Sequence, residues 1–208
     1  MQEIFWDRRA RKYDDEISHH DSLYQKTLQS TETLLNDQDV LLDLGCASGE
    51  ISLDLAPLVA QVHGIDTSGR MIELANQKMR ARDIRNIDFS RIDAFDRSLE
   101  THSFSAITAF NVLHLVENLS GVLDRLYCLL TPGGLLVSQT PCLRERGWIF
   151  RILVRLAQKS RLCPPILNIA FDELAPLFIR SGFEILDSEL WDESQSIQRV
   201  VARRPQDL

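Results

Sequence analysis

The chain has 208 residues, with 30 acidic against 23 basic side chains for a formal charge of -7, and 44% hydrophobic against 25% charged residues. That balance belongs to a globular chain with a full-sized core and excludes a fibrous repeat or a long disordered tail. The acidic excess also argues against a protein that grips a nucleic-acid backbone broadly, which needs many Lys and Arg to displace counterions.

No stretch approaches the roughly 18 uninterrupted apolar residues of a membrane span, and the charged opening MQEIFWDRRARKYDD lacks the apolar run of a secretion signal. A cytoplasmic location is the expectation. Cys46, Cys128, Cys142 and Cys163 form no CxxC pair and read as free thiols, with no metal site expected.

Residues 1–36 read as two helices, and residues 1–208 as a single domain. From residue 40 short β-branched runs alternate with amphipathic stretches, the pattern of repeated βαβ units. Strands are expected at 40–45, 61–66, 87–93, 104–111 and 135–140. Helices are expected at EISLDLAPLV, at SGRMIELANQKMRARD with Ser68 as N-cap, and at LSGVLDRLYCLL, which ends at the breaker TPGG. The tail reads as a helix (FDELAPLFIR), a turn at Gly182 and two strands joined by DESQS, a short connection that favours antiparallel pairing. The fold class is therefore α/β, a doubly wound seven-stranded sheet, mainly parallel with an antiparallel C-terminal strand.

The informative stretch is DLGCASG, residues 43–49, where the first strand gives way to the first helix. Glycines there let the backbone approach a ligand, and a helix N-terminus favours an anionic group. The spacing D-x-G-x-x-x-G does not match the G-x-G-x-x-G of dinucleotide enzymes, which holds down a nicotinamide-dependent dehydrogenase. Asp66 closes the second strand, where a carboxylate can accept both hydroxyls of a ribose; Asp93 closes the third and Asn111 the fourth. In an open parallel sheet such strand ends converge on one crevice. Each Asp alone could equally cap the helix after it.

With these residues in place, the chain resembles the class I methyltransferases dependent on S-adenosylmethionine (SAM), of the small-molecule type related to the ubiquinone and menaquinone biosynthesis enzymes, with their Rossmann-like fold. The matching pieces are FWDRRARKYDD, DLGCASG, GIDTS, RIDAF, FNVLH, LTPGG and SGFEI. The resemblance implies that SAM is the cofactor and S-adenosylhomocysteine the product. It implies that Asp43 and the Gly45 region hold the methionine end, that Asp66 binds the ribose, that Asp93 and Ala94 serve the adenine, and that Cys46, Ala47, Gly49, Thr67 and Met71 are also cofactor-binding residues. Asn111 would lie near the sulfonium and the substrate, and Tyr13 would contact the cofactor or substrate, or else anchor the N-terminal helix on the sheet. Cys46 is expected to be a small filler without thiol chemistry. Ala47-Ser48 stand where many relatives have Gly-Thr.

His114, three residues past Asn111, is the best-placed imidazole for a general base, or else a packing residue; His19 and His20 are candidate lid residues or solvated loop positions. The segment 142–168 is the least typical of the family. Between 144 and 161 it carries six Lys or Arg against Glu145 alone, and Arg151, Arg155 and Lys159 repeat every four residues while Ile149, Ile152, Leu153 and Leu156 fall on another face. A solvated or dimer-forming helix, a substrate lid and peripheral membrane contact all fit that pattern. A small-molecule acceptor, hydrophobic or acidic, is expected; the alternatives are a catalytically idle SAM-binding protein of the same fold and, below it, a nucleic-acid methyltransferase, for which no N-P-P-Y-type motif is present.

Overall fold

The computed structural model describes residues 2–16, 22–159, 163–192 and 196–206. His19 and His20 and the basic position 161 lie outside the described residues. Two helices come first, α1 (Gln2–Glu16) and α2 (Ser22–Glu32), followed by β1 (Val40–Leu44), α3 (Glu50–Leu55), β2 (Gln61–Ile65), α4 (Gly69–Ala81), β3 (Ile87–Ser90), β4 (Phe104–Phe110) and α5 (Leu119–Leu129). Then come β5 (Leu130–Pro141), α6 (Trp148–Lys159), α7 (Phe171–Arg180), β6 (Glu184–Asp192) and β7 (Ile197–Arg203).

The seven strands form one sheet in the order β3-β2-β1-β4-β5-β7-β6. The first five are parallel neighbours, and β7 runs antiparallel to both β5 and β6. The order reverses between β1 and β4, so the turns that leave them diverge to opposite faces and open a crevice at the carboxyl end of the sheet. The expected α/β architecture with its antiparallel end is the one observed.

β1 shows why such a strand must be central. Leu41, Leu42, Asp43 and Leu44 are all buried, Leu41 among apolar residues under one face and Leu42 and Leu44 among those under the other. A strand covered on both faces reads as a continuous apolar run. Each leucine so buried stabilises the fold by about 1.5–3 kcal/mol before entropy is counted.

Boundaries differ most from expectation at β3 and β5. β3 stops at Ser90, because the Ile92 N–H turns back to the Ser90 carbonyl at 3.1 Å, so Asp93 stands on a loop beyond the strand. The TPGG breaker does end α5, but β5 begins there too: Leu130 pairs with Phe104 while Ala106 pairs with Leu135, a bulge that absorbs Gly133 at φ +83. Ser68 caps α4 as expected, its hydroxyl accepting the Met71 N–H at 3.2 Å.

At the other end of the sheet, Phe178 of α7 is fully buried against Phe183, 5.8 Å between ring centroids, while its neighbour Ile179 is 58% exposed. Phe178→Ala should cost about 3–5 kcal/mol through lost burial and the cavity left behind, against within about 0.5 kcal/mol for Ile179→Ala. Urea unfolding of both variants measures the contrast.

Candidate ligand site at the carboxyl end of the sheet

The loop from β1 to α3 alternates left-handed residues: Gly45 at φ +71, Ala47 at +48 and Gly49 at +79. At Gly45 a Cβ would stand 2.6 Å from Val112, and at Gly49 2.7 Å from Phe89, so only glycine fits either position. Ala47 has no such freedom. A left-handed alanine costs roughly 1–2 kcal/mol.

The Gly45 and Cys46 N–H groups both donate to the Ile65 carbonyl, at 2.8 and 3.0 Å, and the Ala47 N–H donates to Asp66 Oδ2 at 3.1 Å. Asp66 Oδ1 accepts the Ser68 N–H at 2.8 Å. One carboxylate at the end of β2 thus clamps the glycine loop with one oxygen and the start of α4 with the other. Burial pushes its pKa up, and the backbone donors from Ser68 and Ala47 oppose the rise. Ser68 Oγ in turn donates to Asp7 Oδ1 of α1 at 2.5 Å, and the Arg70 N–H reaches the same oxygen at 3.2 Å.

Asp43 is buried on β1, accepting from Thr108 Oγ1 at 2.8 Å and from Ser52 Oγ; burial again pushes its pKa up. Burial raises the Cys46 thiol well above its ordinary range, so it is no thiolate nucleophile.

Two cavities open along this loop. The larger, about 400 Å³, is lined by Asp66, Thr67, Met71, Asp93 and Ala94 together with apolar Ile65, Ile92, Val116 and Val122. The smaller, about 140 Å³, is lined by Asp43, Cys46, Ser48 and Glu50 and by Leu23, Tyr24 and Thr27 of α2. Tyr13, Gly45, Ala47, Phe110 and Asn111 line both, so the two meet at the mouth of β4. Asn111 adopts φ +54 there, held by its N–H on the Gln139 carbonyl at 2.8 Å.

Of the residues expected at the site, all but Gly49 and His114 line one cavity or the other. Gly49 acts one layer back, through its approach to Phe89. His114 has a covered Nδ1 without a hydrogen-bond partner, and burial pulls its pKa from 6.5 to about 4.

Several lining residues escape a reading of the sequence. Gln139, buried on β5, lies in the smaller cavity with Oε1 2.5 Å from Thr27 Oγ1. Tyr24 donates to Asp54 at 2.7 Å, and burial holds its phenol protonated far above neutrality. Glu50 is ion-paired to Lys78 at 2.6 Å and to Arg82. The polar run Ser138-Gln139-Thr140 at the end of the apolar LLVSQT is the one signal that pointed at Gln139; α2 approaches only in three dimensions.

Comparison with known proteins agrees with this geometry. A family model described as a methyltransferase domain matches residues 35–174. The juvenile hormone acid O-methyltransferase of Drosophila melanogaster is 32% identical over 128 residues, covering 58% of this chain and 43% of its own length. The chain thus spans less than half of that relative. The demethylmenaquinone methyltransferase of Oceanobacillus iheyensis is 28% identical over 184 residues, 79% of this chain and 74% of its own. A solved S-adenosylmethionine-dependent methyltransferase from Mesorhizobium loti shares the fold, with a TM-score of 0.68 and 22% identity over 81% of this chain and 92% of that one. The chain therefore belongs to the methyltransferase-domain family, with the fold of the SAM-dependent methyltransferases.

Proposed function

We propose that the chain binds SAM across the two joined cavities and transfers its methyl group to a small, largely apolar acceptor. The observation that carries this reading is the junction at Asn111, where a slot suited to a nucleoside meets a second, smaller hollow. A nucleoside fits the larger cavity: apolar walls for a flat base, and Asp66 and Asp93 at its rim for hydroxyl and amine donors. Asp66 already accepts two N–H groups, and a carboxylate has about four lone-pair sites, which leaves capacity for a ribose diol.

When bound, SAM supplies a methyl group already activated by its sulfonium, so the protein's part is alignment and exclusion of water. Asp43 and the Gly45 loop would hold the methionyl end, Asp93 and Ala94 the adenine, and Asn111 the junction. Tyr13, Leu23, Tyr24, Thr27 and Gln139 would frame the acceptor. The quinone pathway named for the O. iheyensis relative supports an apolar acceptor. Unpaired cysteines and the lack, among the described residues, of any helix long and apolar enough to cross a membrane support the cytoplasm as its compartment. The base role expected of His114 is left out: it lines neither cavity, and an imidazole with a pKa near 4 has little proton affinity to offer at neutral pH.

Calorimetric titration with S-adenosylhomocysteine tests the reading, and absence of binding below about millimolar overturns it. Asp66→Ala should weaken that binding by about 1–3 kcal/mol, the scale of a lost pair of charge-assisted hydrogen bonds; unchanged affinity removes the ribose assignment. Radiolabelled methyl transfer into a metabolite extract then identifies the acceptor.

His114 gives a second, independent prediction. Its folded pKa, about 4, lies below the unfolded 6.5, so its contribution to stability is complete above pH 6.5 and is lost as pH falls toward 4. Between pH 7 and 5 the wild type should lose about 1–2 kcal/mol that His114→Gln does not lose, read from denaturant unfolding at the two pH values.

A further inference from the structure

Helix α6 leaves its apolar side uncovered. Trp148, Ile152, Leu153 and Leu156 are 65%, 45%, 59% and 55% exposed, an unusual concentration on a single helix of 12 residues. Among the described residues α6 has no extensive packing with another helix or strand, and none of its described side chains lines either cavity. It starts seven residues after β5, on the rim of the sheet end that carries the ligand site.

The charge pattern completes the picture. Positions 148, 152 and 156 step by four along the helix, and the basic positions 151, 155 and 159 step by four beside them. This basic row sits in a chain that is otherwise strongly acidic, six Lys or Arg against one acid between 144 and 161. Arg144 is engaged by Glu173 and by the Asn168 carbonyl, and it fastens the segment to the start of α7.

From the exposed apolar row and the basic row beside it, we infer that α6 is a docking helix for a lipid surface bearing anionic headgroups. It would lie in the plane of the interface, with Trp148, Ile152, Leu153 and Leu156 entering the acyl boundary and the cations meeting headgroup phosphates. A nucleic-acid backbone offers nothing to four exposed apolar side chains. A second copy of the same face would bring two rows of like charge together, which disfavours that occupant. The acidic remainder of the chain is repelled by the same surface, so docking through α6 also orients the molecule, with the rim of its ligand site toward the lipid.

The inference stands apart from the methyl-transfer reading, because vesicle binding needs no cofactor. Flotation of the full chain with phosphatidylcholine vesicles, with and without about one third phosphatidylglycerol, is the test. Binding to the anionic vesicles should be at least about tenfold tighter and should vanish near 0.5 M salt, roughly where charges are screened within a few ångströms. Arg151→Glu with Arg155→Glu, and separately Ile152→Ser with Leu156→Ser, should each lower it by more than about tenfold. Circular dichroism and urea unfolding of the same variants should match the wild type, which verifies that they fold. Equal partition into both vesicle types, or undiminished binding by the charge-reversed variant, overturns the inference. So does a dimer in sedimentation equilibrium that Ile152→Ser with Leu156→Ser dissolves while vesicles bind nothing.

Discussion

The carboxylate of Asp66 is the interaction on which the site's shape depends. It joins a loop to a helix: one oxygen takes the N–H of a strained alanine, the other takes the N–H of the residue that caps α4. Without it the alternating left-handed run at Gly45, Ala47 and Gly49 would be tied to the end of β2 through the Gly45 and Cys46 N–H groups on the Ile65 carbonyl, and the Ala47 N–H would lose its acceptor. Its burial raises the cost of keeping it ionised, and backbone donors from Ser68, Ala47 and Thr67 offset part of that cost. A ligand hydroxyl group brings more donors to the same oxygens. The free protein is thus organised around an acid that a bound nucleoside would help to satisfy.

Much of this was legible in the sequence, and the reason is geometric. A parallel strand buried on both faces leaves its polar residues only at its ends, so Asp43, Asp66 and Asn111 stood out against leucine, valine and isoleucine. The D-x-G-x-x-x-G spacing located the turn because its glycines meet Val112 and Phe89 too closely for any side chain. The end of β3 was less clear. IDFSRID alternates like a longer strand, and nothing local reveals that the chain folds back at Ser90. The second cavity was hidden for a different reason: Tyr24, Thr27 and Gln139 are brought together by packing between segments more than one hundred residues apart. His114 shows the reverse failure. Proximity in sequence to Asn111 suggested a shared site, but the following turn swings the imidazole into a covered position, with Leu167 donating to the His114 carbonyl at 2.7 Å.

The walls of the smaller cavity divide the labour between rigid and tunable parts. Glu50 and Asp54 of α3 are tied to Lys78 and Arg82 of α4 and to the Tyr24 phenol, a network that fixes α2 against the sheet-covering helices. Partly buried pairs of this kind contribute geometry more than net stability. Against that frame, Thr27 and Gln139 add a neutral, hydrogen-bonded pair to walls that also carry the acids Asp43 and Glu50.

The contact between Asp7 and the Ser68 hydroxyl has a consequence for energetics. Ser68 lies between two acids, bonded to Asp66 through its N–H and to Asp7 through its hydroxyl, and Asp7's charge raises the pKa of Asp66. In the proposed function, a ligand hydroxyl seated on Asp66 would therefore be coupled to the seating of the first helix. By reciprocity, whatever tightens the grip of α1 on α4 must alter ligand affinity by the same factor that the ligand alters the seating of α1.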